Sequence, residues 1–123
     1  MSQTKILFID DEPVVLTLMK NRLASRDFLV ETAADGKSGL AKAKSWLPDL
    51  ILLDIAMPGM DGYETCRSLK EMDETAKIPV VLFTAMQDAD LEAFARAAGA
   101  AKVVRKPFVE QVFRAIDEIL GPQ

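Results

Sequence analysis

Short apolar runs alternate with longer periodic segments along the whole chain. KILFI (Lys5–Ile9) reads as a buried strand. Asp11, Glu12 and Pro13 then open a helix, because acids suit the positive end of the helix dipole and Pro is tolerated in the first turn. Val15, Leu16, Met19 and Leu23 give that helix one apolar face. FLVETA (Phe28–Ala33) is a second strand, alternating enough to lie nearer an edge. A helix follows over Lys37–Trp46, closed by Pro48. DLILLDI (Asp49–Ile55) is apolar on both faces and therefore central. Tyr63–Glu71 is helical, and EMDETAK (Glu71–Lys77) is a polar loop. IPVVLFT (Ile78–Thr84) is the fourth strand. Asp88–Ala98 is an Ala-rich helix ended by Gly99, and AKVVR (Ala101–Arg105) is a short fifth strand. Val109, Val112, Phe113, Ile116, Ile119 and Leu120 form the clearest helical stripe.

Five strand–helix pairs with strands too apolar to face water imply parallel pairing and right-handed crossovers. The expected fold is a three-layer α/β domain, (βα)5, covering residues 1–123 with no linker, repeat or output domain.

Composition narrows the function. The chain has 123 residues, half hydrophobic and 28% charged, which suits one globular domain with a real core. A net charge of −4 argues against a nucleic-acid groove as its main surface. One cysteine, Cys66, rules out an internal disulfide. The start MSQTKILFID lacks a signal-peptide pattern, and no apolar run approaches the roughly 20 residues a membrane span needs. A cytoplasmic location is expected. There is no histidine, the commonest general base and metal ligand.

In open parallel sheets, ligands bind beyond the carboxyl ends of the strands. Strand one ends in Asp10 and Asp11, strand three in Asp54, strand four in Thr84 and Ala85, and strand five in Lys106 and Pro107. Taken singly, each has a bland reading: a helix-opening acid, a turn hydroxyl, a lysine before a proline turn. Together they fall on one sheet edge. Clustered carboxylates repel one another and call for cations. Lys106 supplies one charge, and Mg²⁺ is the natural hard divalent ion where a phosphate joins the oxygen ligands. A carboxylate in that setting can accept a phosphoryl group as an aspartyl-phosphate.

The segments FIDDEP, DLILLDIAMPGMDGYE, PVVLFTA and GAAKVVRKPF, in this order and spacing, resemble the receiver domain of bacterial two-component response regulators. The resemblance spans essentially the whole chain and implies a flavodoxin-like sheet of order 2-1-3-4-5. It implies Asp54 as phosphoacceptor, and Asp10, Asp11, Asp54 and the Ala56 backbone carbonyl as Mg²⁺ ligands. Thr84, followed by Ala85, would bind a phosphoryl oxygen and move on activation, and Lys106 would pair with the phosphoryl group. The Lys106–Pro107 bond would be cis. A sensor histidine kinase or phosphotransfer protein would be the donor. The output would be a protein contact through Asp88–Gly99, Ala101–Arg105 and Phe108–Leu120, a face also open to a second copy of the chain. The protein would catalyse only its own phosphorylation and slow autodephosphorylation, with no direct contact to nucleic acid or membrane.

Three positions depart from the family pattern. Val103 stands where many receivers carry the aromatic residue that swings inward when the threonine moves. Ala56 and Met86 occupy the two positions that tune phosphoryl lifetime, and neither side chain can orient an attacking water by a strong hydrogen bond. Slow hydrolysis is expected. A phosphorylation-independent binding module is the alternative, favoured by Val103 and opposed by the intact acidic, threonine and lysine set. A phosphohydrolase using Asp54 as nucleophile is opposed by the absence of histidine and of a second acid–base group nearby.

Overall fold

A computed structural model describes residues 3–122 of the chain. Its elements are β1 (Lys5–Ile9), α1 (Pro13–Ala24), β2 (Leu29–Ala33), α2 (Gly36–Trp46), β3 (Leu50–Leu53), α3 (Gly62–Glu71), β4 (Val80–Thr84), α4 (Leu91–Ala98), β5 (Lys102–Arg105) and α5 (Val109–Leu120). The five strands pair in parallel in the order β2-β1-β3-β4-β5. This is the three-layer flavodoxin-like arrangement. FLVETA does form an edge strand, with Leu29 half exposed, and DLILLDI supplies the central one. Among the described residues, no helix is long and apolar enough to cross a membrane.

Alternation along each central strand splits the core in two. Ile6, Phe8, Leu50, Leu52, Val81 and Phe83 pack against α1 and α5. Leu7, Ile9, Ile51, Leu53, Val80 and Leu82 pack on the other face, where α3 contributes Cys66 and Leu69 and α4 contributes Leu91 and Ala95. Cys66 is buried and its thiol donates to the Ala98 carbonyl at 3.4 Å, so it joins α3 to α4 rather than offering a reactive group. Burial pushes that thiol up, which keeps it protonated.

Several boundaries differ from the sequence pattern, each for a local reason. α1 starts at Pro13 with no acid in its first turn, and Glu12 at its N-cap makes no side-chain cap. The acids are instead turned to the sheet edge, where the Asp10 carboxylate accepts the Glu12 N–H at 3.0 Å. α2 and α3 each begin at a glycine, because Asp35 and Asp61 cap them by accepting from Ser38 N and Glu64 N. α4 begins only at Leu91, because the Asp88 carboxylate holds a preceding turn through Asp90 N–H. β4 begins after Pro79, which has no N–H for the ladder. Within the acidic loop after α3, Thr75 is buried and donates to the Leu69 carbonyl at 2.6 Å, so the segment is anchored although its acids are exposed.

Candidate functional site

The parallel register brings the strand ends level. Ile9 pairs with Leu53 on one side and with Ala33 on the other, the last pair of each ladder. Asp54 N donates to the Ile9 carbonyl at 3.0 Å, and Asp10 N to the Ala33 carbonyl at 3.1 Å. Asp10 and Asp54 are thereby set side by side, 0% and 3% exposed. Asp11 and Glu12 complete an acidic cluster in which one carboxylate oxygen from each residue lies within 4.8 Å of the others. Lys106, just past β5, reaches across to Asp10 Oδ2 at 2.7 Å and Asp54 Oδ2 at 3.4 Å. Thr84 is fully buried at the end of β4, and its carbonyl accepts from Lys106 N at 2.8 Å. The Lys106–Pro107 peptide bond is cis. A cleft of about 270 Å³ opens over Asp54, lined also by Glu12, Ala56, Thr84, Met86 and Lys106.

Asp10, Asp11, Asp54, Thr84, Ala85 and Lys106 therefore meet at one place, whereas Pro107 lines a neighbouring cleft against α1. Glu12 belongs with them, although its sequence context reads as a helix start. Ala85 and Met86 line the cleft, so Met86 does cover one side of it. Val103 packs in the core layer beneath α4 instead of facing the cleft. Lys102 pairs with Glu118, and Arg105 donates to the Met86 carbonyl at 2.9 Å and lies 3.9 Å from Glu92.

Charge is unbalanced in this site. Four carboxylates face one ammonium. Burial, with repulsion from Asp10, pushes the Asp54 carboxyl above its ordinary value, against the pull of Lys106 and the Ile55 N–H. Burial alone would lower the Lys106 ammonium, but its hydrogen bond to Asp10 and the charges of Asp54 and Asp10 outweigh that and hold it above its usual value. Lys106 thus stays cationic, and the site keeps an excess of negative oxygen donors. That donor set fits a hard divalent cation and offers nothing to a soft one.

A stability consequence follows from the raised Asp54. Its native form holds a proton more tightly than the unfolded chain does, so its contribution falls as pH rises from the ordinary carboxylate range through the native value. At neutral pH without divalent metal, Asp54→Asn should raise the thermal midpoint. The gain should vanish at pH values below the ordinary carboxylate range, measured by melting in EDTA across pH. An unchanged or lowered midpoint at neutral pH would contradict the charge imbalance.

Residues 6–116 match the family model described as the response regulator receiver domain. The chain belongs to this family. Receiver relatives include the response regulator PleD of Caulobacter vibrioides, 42% identical over 103 residues, which are 84% of this chain and 23% of PleD. The DNA-binding dual master transcriptional regulator RpaA of Synechocystis is 35% identical over 117 residues, 94% of this chain and 48% of that protein. This chain spans about a quarter to a half of the length of these regulators. Among solved structures, Vibrio cholerae chemotaxis protein CheY4 is 28% identical with a TM-score of 0.90, covering 96% of this chain and 99% of that one. The receiver domain of sensor histidine kinase PA1611 from Pseudomonas aeruginosa is also 28% identical, with a TM-score of 0.89 over 98% of this chain and 100% of that one. That structure holds a magnesium ion coordinated in its active-site cleft.

Proposed function

We propose that this receiver is a phosphoacceptor, with Asp54 as the acceptor and a histidine kinase or phosphotransfer protein as donor. One observation carries the reading: a buried carboxylate at the end of the central strand opens onto a cleft, 3.4 Å from a partly buried lysine and within an acidic cluster. An Asp54 carboxylate oxygen attacks phosphorus, the phosphorus–nitrogen bond of a phosphohistidine breaks, and the imidazole leaves. Asp54 Oδ1 accepts from Ile55 N at 2.8 Å, which fixes the carboxylate plane and leaves Oδ2 on the Lys106 side. Lys106 neutralises charge on the transferred group, and the Thr84 hydroxyl donates to one of its oxygens.

Asp10, Asp11, Asp54 and the Ala56 carbonyl would hold Mg²⁺, with Glu12 close enough to act through a water. Mg²⁺ bound there neutralises charge on the phosphoryl oxygens. The donor's approach is favoured by an apolar collar beside the site. Val14 and Leu18 of α1 are 70% and 59% exposed, and Leu18 lines a cleft that runs to Lys106 and Pro107.

Output goes to a downstream protein through α4, β5 and α5. On α4, Ala93 and Ala97 are exposed beside the half-exposed Phe94, so a partner helix can approach closely. A cytoplasmic location fits this reading.

The test is intact mass after incubation with acetyl phosphate, with and without Mg²⁺. A single Mg²⁺-dependent phosphoryl adduct is expected on wild type and none on Asp54→Ala. No adduct on wild type, from acetyl phosphate or from a kinase, would favour the phosphorylation-independent binding module. Following the same adduct over time checks its lifetime. Ala56 carries no polar side-chain group and Met86 only a weak acceptor, so decay should be slow for a receiver and should accelerate in Met86→Asn. Rapid unassisted decay of the wild type would refute this.

A further inference from the structure

With valine at position 103, the aromatic that carries the threonine's movement in many receivers is missing, yet a series of contacts runs from Thr84 through the Met86 backbone to Arg105, which lies beside Glu92 of α4. The Met86 backbone is held at both ends by side chains. Its N–H donates to Thr84 Oγ1 at 3.2 Å, and its carbonyl accepts from Arg105 Nη1 at 2.9 Å. The other guanidinium nitrogen of Arg105 lies 3.9 Å from Glu92 Oε1, in the first turn of α4. Arg105 itself is half-buried at the end of β5, opposite Thr84 in the β4–β5 register.

We propose that Arg105 is the positioning residue that reads the state of the Thr84 hydroxyl and passes it to α4, in place of an aromatic switch. The inference rests on the phosphoacceptor reading of the site. When Thr84 Oγ1 turns to a phosphoryl oxygen, the Met86 N–H loses its present alignment and the loop after β4 shifts. The Met86 carbonyl belongs to the same residue, so its bond to Arg105 must follow or break. Either way the guanidinium moves relative to Glu92, and the start of α4 responds. A guanidinium is suited to this because its donors point in fixed, divergent directions, so one group can hold a carbonyl and a carboxylate together. A charge-assisted bond to a carbonyl is strong enough to bias a two-state loop by about tenfold.

Tyr63 offers a local reporter. It is the single tyrosine of the chain. Its ring lies 5.8 Å from that of Phe94 on α4. Its position against Phe94 makes the ring a reporter of α4.

The experiment is fluorine NMR of the 123-residue chain carrying 3-fluorotyrosine, before and after phosphorylation by acetyl phosphate and Mg²⁺, with adduct level measured by mass on the same samples. Wild type should show a resonance change on phosphorylation. Arg105→Gln should acquire the adduct to the same extent but lose most of that change. Arg105→Lys, which keeps the charge and a donor, should recover part of it. Glu92→Gln, a substitution on an exposed side chain, should weaken it in the same direction. A full change in Arg105→Gln or in Glu92→Gln, or no recovery in Arg105→Lys, overturns the proposal. Absence of any adduct on wild type instead overturns the phosphoacceptor reading, and the proposal with it. Adduct without a wild-type resonance change overturns the Arg105 relay alone.

Discussion

Lys106→Ala should destabilise the metal-free protein by about 3 kcal/mol, the cost typical of removing one partner from a buried charge pair. The lysine side chain is only 14% exposed, and the side chains of its two partners, Asp10 and Asp54, are 0% and 4% exposed. Without the ammonium, two adjacent buried carboxylates face each other uncompensated. Asp54 is already pushed up by burial and by Asp10, so it would relieve the repulsion by taking a proton. The loss should therefore shrink as pH falls, and the double variant Lys106→Ala with Asp54→Asn should recover much of it. Urea unfolding in EDTA measures both. Added Mg²⁺ should stabilise the single variant more than wild type, because it meets more uncompensated charge. Phosphoryl adduct formation should drop sharply in the same variant. A Lys106→Ala protein as stable as wild type would show that the Asp10–Lys106–Asp54 contacts carry no net energy.

Gly62→Ala should be nearly as damaging, for a purely steric reason. A Cβ at position 62 would stand 2.3 Å from the Asp54 carbonyl oxygen and 2.5 Å from Ile55 Cα. Both are backbone atoms, and neither can rotate away. Gly62 also donates its N–H to the Ile55 carbonyl at 2.9 Å, so α3 is tied directly to the backbone that presents Asp54. The chain must push α3 off the sheet or move Asp54. A cost of about 3 kcal/mol is expected, at the upper end for overpacking, together with weaker adduct formation. Gly59→Ala is the control. It has positive φ but nothing within 4 Å of an added Cβ, so it should cost only about 1 kcal/mol of backbone strain. Chemical denaturation and the acetyl phosphate assay on the two variants separate the effects. Equal losses would mean that close packing under Asp54 is not what position 62 provides.

Much of this protein is legible in one dimension. The strand cores and the stripes of α1 and α5 follow from period, because each face of a strand or helix must find apolar partners wherever it ends up. Asp10, Asp11, Asp54, Thr84 and Lys106 were legible as one site because a parallel sheet brings all its carboxyl ends to the same edge. Element ends were less so. Whether Asp11 and Glu12 cap α1 or turn to the sheet edge depends on where Asp54 stands, more than forty positions away in the chain.

The sequence by itself determined the α/β architecture, the central position of β3 and the set of groups at the site, since these depend only on residue type and spacing. Only the tertiary structure decided the joins. It placed Glu12 among the acids, set Gly62 under the Asp54 carbonyl, and put the Arg105 guanidinium on the carbonyl of Met86, nineteen residues earlier. Such contacts are fixed by how neighbouring crossovers pack on a twisted sheet, and a side chain's own sequence neighbours carry no record of that distance.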